Sequence, residues 1–241
     1  MASPKILVLG ATGPAGICLL RELLHRKHAT IAYARNPSKL PEDLTADPLL
    51  EVVEGQMDDT DKLGFAVAKC NLVLSLLGPD SSQGRSLPPS LYPNYYSSLF
   101  LLMRQHGVRR ILAMNSASAK DPLDSFSLVV FLLTLFIRIF APAAYQTMQG
   151  LTRVFHEADD LDWTLFRLNG LPGGHDKESW RKDREDEPTY AGYVGKPGYK
   201  LSLQRAALAR WLVDCAESGA PEWIRKMPAV SKSSIAKVKG E

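Results

Sequence analysis

The chain has 241 residues, 45% of them hydrophobic, enough for one α/β domain with a sizeable core. Its formal net charge of +3 is too small to argue for nucleic acid, and no basic block with interleaved aromatic residues appears. Cys18, Cys70 and Cys215 are scattered and odd in number, which suits buried free thiols in a reducing compartment rather than a disulfide framework; the five histidines show no metal-ligand spacing, so no metal is expected.

The first predicted strand, 5–10, ends in a turn with glycines at 10, 13 and 16 and leads straight into an amphipathic helix, 14–27. A second strand follows at 30–34, the distance of a βαβ unit. In such a turn Gly10 permits the tight bend, Gly13 lets backbone approach a pyrophosphate, and Gly16 lets the helix pack close to the sheet. Phosphate oxygens would then face Thr12, Pro14 and Ala15 at the helix N-terminus, where free N–H groups and the helix dipole favour negative charge. The alternative is a βα turn with incidental glycines. No secretory signal precedes the first strand, and the expected location is cytoplasmic.

The second strand ends in Ala34-Arg35-Asn36-Pro37-Ser38-Lys39. An NAD site usually carries Asp or Glu here to hold the ribose 2′-hydroxyl. Arg35 can instead pair bidentately with a 2′-phosphate, and Ser38 and Lys39 add a hydroxyl and a second cation. NADP(H) is therefore favoured over NAD(H), the alternative being a solvated basic loop.

Further strands are predicted at 51–54, 71–76, 109–114 and 162–168, and helices at 60–69, 91–106, 142–159 and 203–217. Several strands are short apolar runs of the fully buried kind. Alternation of this sort predicts a doubly wound parallel sheet, with ligands beyond the carboxyl ends of the strands. Those ends include Gly55–Asp58, Leu77–Gly78, Asn115–Ser118 and Arg167–Pro172.

Between these elements, residues 78–90 read as a mobile loop beside the cofactor. The run from Ser127 to Arg138 is very apolar but too short to span a bilayer, and reads as a buried or subunit-interface helix; an apolar lip for a lipophilic substrate or a membrane surface is the alternative. An oligomer through 128–140 is thus a possibility. Residues 172–200 read as a polar substrate-side lid, with 177–187 a solvated surface and Tyr190, Tyr193 and Tyr199 facing the substrate. The tail, 231–241, reads as frayed.

These motifs resemble the atypical short-chain dehydrogenases/reductases of the NAD(P)-binding, NmrA-like type, near the flavin reductase/biliverdin-IXβ reductase branch. The resemblance spans about residues 4–217. Gly-Ala-Thr-Gly-Pro-Ala-Gly at 10–16 matches the phosphate loop and Ala34–Pro37 the 2′-phosphate turn; Glu54-Gly-Gln-Met-Asp-Asp59 is similar to the stretch that contacts adenine through Met57 and Asp58. Leu161–Arg167 is similar to the late strand, Leu203–Ala209 to the start of the following helix, and Leu171-Pro172 falls where backbone packs near the nicotinamide. The resemblance implies a single Rossmann-fold domain with a small C-terminal lid region.

The catalytic positions match less well. Ordinary short-chain reductases use a Ser after strand five and a Tyr-x-x-x-Lys helix. Ser116 or Ser118 occupies the first position, with capping of the following segment as the alternative. Tyr145 begins Tyr145-Gln-Thr-Met-Gln149, so Gln149 stands where the Lys belongs. A glutamine can hydrogen-bond a ribose but supplies no charge to activate the phenol. Tyr145 can equally cap or pack. The flavin and biliverdin branch also lacks the pair and works by orienting hydride donor and acceptor, with solvent supplying the proton.

The expected function is an NADP(H)-dependent oxidoreductase acting on a bulky apolar or aromatic small molecule. The alternatives are a redox-neutral isomerase or cyclase that retains NADP(H), which Gln149 favours, and a non-enzymatic NADP(H) sensor.

Overall fold

The computed structural model describes residues 5–78, 88–186 and 188–234. Eight strands form one sheet: β1 (Lys5–Leu9), β2 (Thr30–Ala34), β3 (Leu50–Glu54), β4 (Cys70–Ser75), β5 (Arg110–Ser116), β6 (Asp162–Leu168), β7 (Thr189–Gly192) and β8 (Ala229–Lys232). Their order is β3-β2-β1-β4-β5-β6-β8-β7, all parallel except the antiparallel edge strand β7. The chain reverses direction across the sheet between β1 and β4, so a crevice opens at the carboxyl ends of these two central strands. The glycine turn after β1 thus lies at the middle of the sheet.

Helices cover both faces: α1 (Pro14–His25), α2 (Glu42–Thr45), α3 (Thr60–Val67), α4 (Leu91–Gln105), α5 (Leu128–Phe140), α6 (Pro142–Glu157), α7 (Lys177–Asp186) and α8 (Arg205–Ser218). Because strand side chains alternate, β1 feeds two cores. Ile6 and Val8 join α1 and α8 on one face; Leu7 and Leu9 join α3, α4 and α6 on the other. Local chemistry sets the helix ends. Asp59 caps α3 by accepting the Lys62 N–H at 3.1 Å, and α8 stops at Gly219, which has φ +75°.

The predicted strands and helices are present, with ends shifted by one or two residues. Several expectations need correction. Residues 172–200 are not an irregular lid: they contain α7 and β7. Nor is 177–187 merely a solvated surface. Trp180 is buried against His25, and Arg184 donates at 2.9 Å to both carboxylate oxygens of the fully buried Glu22 on α1. The tail does not fray at once, because Ser231 and Lys232 belong to β8. The apolar run does form a helix, α5, but in this chain only Val130 of it is buried. Most of the expected loop at 78–90, residues 79–87, lies outside the described residues.

Among the described residues no single helix is long and apolar enough to cross a membrane; only α5 and α6 taken together, bent by 114°, match by length and composition. Cys18, Cys70 and Cys215 are buried and form no disulfide, and burial pushes their thiols up to about 11, 12 and 12.

Candidate active site

A groove follows the carboxyl ends of the strands. Its central part, about 350 Å³, is lined by Gly10, Thr12 and Gly13 after β1, Arg35, Asn36 and Lys39 after β2, Met57 after β3, and Leu77 and Gly78 after β4. Two glycines build the turn. Gly10 has φ +77°, and a Cβ on it would lie 2.8 Å from the Leu76 carbonyl carbon. A Cβ on Gly16 would lie 2.2 Å from the Gly10 oxygen, so α1 begins directly on the turn. Gly13 differs: among the described residues a Cβ there would meet only the Gly10 oxygen, at 3.5 Å, so they leave room. The space kept clear is the groove. Pro14 opens α1 with no side-chain cap and no acidic first-turn residue, leaving the N–H groups of Ala15 and Gly16 to an anion.

At one end the groove widens into a depression of about 290 Å³ lined by Arg35, Glu54, Gly55, Gln56, Asp58, Asp59 and Lys62. Arg35 and Lys39 are exposed, and the Ser38 hydroxyl donates to Asn36 Oδ1 at 2.6 Å. The pairing of Ala34 with Glu54 brings a carboxylate beside the end of β2, a neighbour that the local sequence around Arg35 does not reveal. Met57 and Asp58 divide between the groove and the depression.

At the other end, past Leu77 and Gly78, lies a pocket of about 270 Å³. Met114, Asn115 and Ser116 of β5, Ile137 of α5, Ala144 and Met148 of α6, and Leu168–Leu171 after β6 line it. Ser116 Oγ accepts the Ser118 N–H at 3.2 Å, which leaves its own O–H to donate into the pocket. Asn115 holds this serine: its Oδ1 accepts the Ser116 N–H at 2.8 Å while its Nδ2 donates to Thr152 Oγ1 at 3.1 Å.

The other expected catalytic residues sit differently. Ser118 is buried and does not line the pocket. Gln149 Nε2 donates to the Ser118 carbonyl at 3.3 Å, so its amide fastens α6 to the turn after β5. Tyr145 lies on the same helix, but Ala144 and Met148 are the side chains that α6 presents to the pocket. Leu171 lines the pocket and Pro172 does not; the Pro172 carbonyl accepts the Arg205 N–H at 3.1 Å. The following segment is tied down, with the Arg205 side chain donating to the Gly173 carbonyl and Arg21 Nε to the His175 carbonyl at 3.2 Å. Among the tyrosines, Tyr190 bonds the Tyr193 backbone, and Tyr199 reaches the site only through Asn169.

Sequence reasoning placed Asn115 and Asn169 at ligand-facing strand ends but gave them no role, and it missed Met148 and the α4 tyrosines Tyr92 and Tyr95, which line the central groove. Asn115 adjoins a chosen serine, yet which neighbour points inward depends on strand register. The Tyr92 hydroxyl donates to the Gly78 carbonyl at 2.9 Å across a gap in sequence that no local pattern bridges.

A family model described as NAD(P)H-binding matches residues 10–218. Among solved structures, a short-chain dehydrogenase/reductase from Veillonella parvula, in complex with NADP, is 19% identical, with a TM-score of 0.72 over 95% of this chain and 94% of that one. The oxidoreductase ylbE from Lactococcus lactis is 14% identical, with a TM-score of 0.68 over 95% and 91% of the two chains. ChuY, an anaerobillin reductase from Escherichia coli, is 16% identical, with a TM-score of 0.65 over 96% and 98%. At these identities the likeness shows the fold, a single-domain Rossmann α/β fold. The match over residues 10–218, together with the glycine turn, the uncapped start of α1 and the groove across the strand ends, establishes that the chain belongs to the NAD(P)H-binding family.

Proposed function

We propose that the protein is an NADP(H)-dependent oxidoreductase that moves hydride to or from a bulky, apolar or aromatic small molecule. The observation that carries the reading is the continuity of the groove. Leu77 and Gly78 line both the central part, which begins at the glycine turn, and the pocket that contains Ser116. Gly13 and the N-terminus of α1 would hold the pyrophosphate of a dinucleotide lying along the groove, Arg35, Met57 and Asp58 its adenosine end, and Gly78 and Leu171 its nicotinamide end. The basic pair Arg35 and Lys39 favours the 2′-phosphate over a free hydroxyl. The cofactor, when bound, supplies or accepts a hydride.

The chain's own residues orient and exclude. Met114, Ile137, Met148, Leu168 and Leu171 make a largely apolar seat that holds a substrate ring and keeps water off the reacting carbon. The Ser116 hydroxyl donates to a substrate oxygen that gains charge as hydride arrives. None of the described residues lining this pocket titrates, so the accompanying proton comes from water. That chemistry suits acceptors whose reduced form needs no strong acid, such as quinones, flavins and enones. The buried thiols, free of disulfides, suit a reducing compartment, and we place the protein in the cytosol.

The test is to incubate the protein with NADPH and a panel of quinones, flavins and enones and to follow the dihydronicotinamide absorbance. Oxidation that depends on one acceptor class supports the reading. Product formed with oxidised cofactor and no net absorbance change would assign a redox-neutral reaction instead. Tight binding without turnover on any acceptor would assign a sensor.

A further inference from the structure

Among the described residues, helix α5 is the one element whose burial runs opposite to its composition. A surface helix of a globular protein turns its apolar stripe to the core and its polar face to water. Here Leu128, Val129, Phe131, Leu132, Leu133, Leu135, Phe136, Ile139 and Phe140 are all exposed, while Val130 alone is buried. At about 100° per residue these nine side chains cover an arc of about 200°. Phe126, 80% exposed, and Leu123 extend the apolar surface ahead of the helix.

We infer that α5 is an interfacial anchor that seats the protein on an anionic lipid surface, with the helix lying in the plane of the headgroups. Length excludes a span by α5 alone, since 13 residues reach about 20 Å against a hydrocarbon core of about 30 Å. The continuation into α6 does not serve either, because the chain bends by 114° and α6 buries Thr147, Leu151 and Phe155 in the protein. Charge says what covers the arc. No Asp or Glu occurs between Asp124 and Glu157, whereas Arg138 is exposed on α5 itself. Exposed Lys200 and Lys232 line one depression with Val129 at the start of the helix, and exposed Lys196 lies in the turn whose Val194 carbonyl accepts the Ser125 N–H. Of the two carboxylates just before α5, Asp124 is held by Arg167 and Asp121 accepts the Leu123 N–H. A ridge of Leu, Ile and Phe flanked by cations matches the acyl boundary and phosphate layer of a membrane that carries anionic lipid. A second copy docking on one side of so broad an arc would leave much of it in water.

Ile137, on the inner side of the same helix, lines the substrate pocket. A seated α5 therefore puts that pocket next to the lipid phase, from which an apolar substrate can enter; this consequence rests on the proposed oxidoreductase reading. Membrane binding itself does not, and it is measured without turnover.

The experiment is flotation of the purified full chain with vesicles of phosphatidylcholine alone and of equal parts phosphatidylcholine and phosphatidylserine. The wild type is expected to float with the mixed vesicles and more weakly with the neutral ones. The triple variant Leu132→Gln, Phe136→Gln, Ile139→Gln, at the centre of the arc, should lose about a hundredfold or more in affinity with unchanged circular dichroism. The double variant Lys196→Gln, Lys200→Gln should lose about thirtyfold on mixed vesicles and little on neutral ones. The inference is overturned if the wild type stays at the bottom of the gradient, or if the triple variant floats as well as the wild type. It is also overturned if the wild type fails to float but sediments as a dimer that the triple variant makes monomeric, which would assign α5 to a second copy.

Discussion

The fully buried guanidinium of Arg167 grips the Asp124 carboxylate in two parallel hydrogen bonds, 2.6 Å from Nη1 to Oδ2 and 2.8 Å from Nη2 to Oδ1. The same guanidinium donates to the Ala119 carbonyl at 3.0 Å and, through Nε, to the Met227 carbonyl at 2.7 Å. Asp124 Oδ1 also accepts the Val194 N–H at 2.9 Å. One side chain of β6 thereby fixes the segment that leads into α5 and the approach to β8, and so sets one wall of the pocket.

This pair has a pH signature. Burial, the largest single influence, pushes the Asp124 carboxyl up, but the Arg167 hydrogen bonds and charge, together with the Asp121 and Val194 N–H donors, outweigh it and hold the group below the ordinary carboxylate range. A depressed folded-state pKa contributes stability above the unfolded value of about 3.9 and loses it as pH falls through the folded value. Glu22 behaves alike: burial raises it, and Arg184 and Arg26 bring it down. The melting temperature should therefore drop as pH falls below about 4. Asp124→Asn, which leaves a buried guanidinium without its counter-charge, should cost about 3–5 kcal/mol at neutral pH and flatten the acid limb. Thermal melts across pH check this; an unchanged acid limb in Asp124→Asn would remove the pair from the account.

Gly13→Val should leave the fold intact and abolish dinucleotide binding. Among the described residues a Cβ at this position meets nothing closer than the Gly10 oxygen at 3.5 Å, so the branched side chain goes into the groove, at the proposed place of the pyrophosphate. Circular dichroism and cofactor titration separate the two effects. Normal affinity in a folded variant would show that the phosphates lie elsewhere.

NADP(H) should bind several-fold more tightly than NAD(H), and Arg35→Ala should cost about tenfold for NADP(H) alone. The guanidinium is solvent-exposed, which keeps the effect at the low end of charge-assisted pairs. Glu54, Asp58 and Asp59 share its depression and oppose added negative charge. Equal affinity of the wild type for both cofactors in calorimetric titration would refute the role of Arg35.

Ser116→Ala should lower turnover by about a hundredfold, the typical loss for one donor to a developing oxyanion, with cofactor affinity little changed. Asn115→Ala should follow it in direction, because Asn115 holds the serine backbone. Tyr145→Phe should matter less, since Ala144 and Met148 face the pocket from that helix. Steady-state rates with the best acceptor decide the order; an inactive Tyr145→Phe beside a fully active Ser116→Ala would give the proton-donor role to the phenol.

The sequence by itself determined the elements whose signals are local. Strand–turn–helix around Gly10, Gly13 and Gly16 is written in adjacent residues, because a tight turn and a close helix start admit little else. The buried strands at 30–34 and 162–168 are legible for the same reason, as short apolar runs closed by turn residues. Tertiary structure decided what depends on partners distant in sequence. Lys177–Asp186 reads as solvated charge until Glu22, more than 150 positions earlier, supplies the buried carboxylate that Arg184 needs. Glu54 comes beside Arg35 only through the pairing of β2 with β3, and Ser116, which the sequence already favoured over Ser118, lines the pocket while Ser118 is buried behind it. The clearest divergence is α5. Composition alone sends a run of Leu, Ile, Val and Phe to the interior, since burying apolar area is the main driving force of folding. With both faces of the sheet already covered by other helices, the fold leaves α5 at the surface.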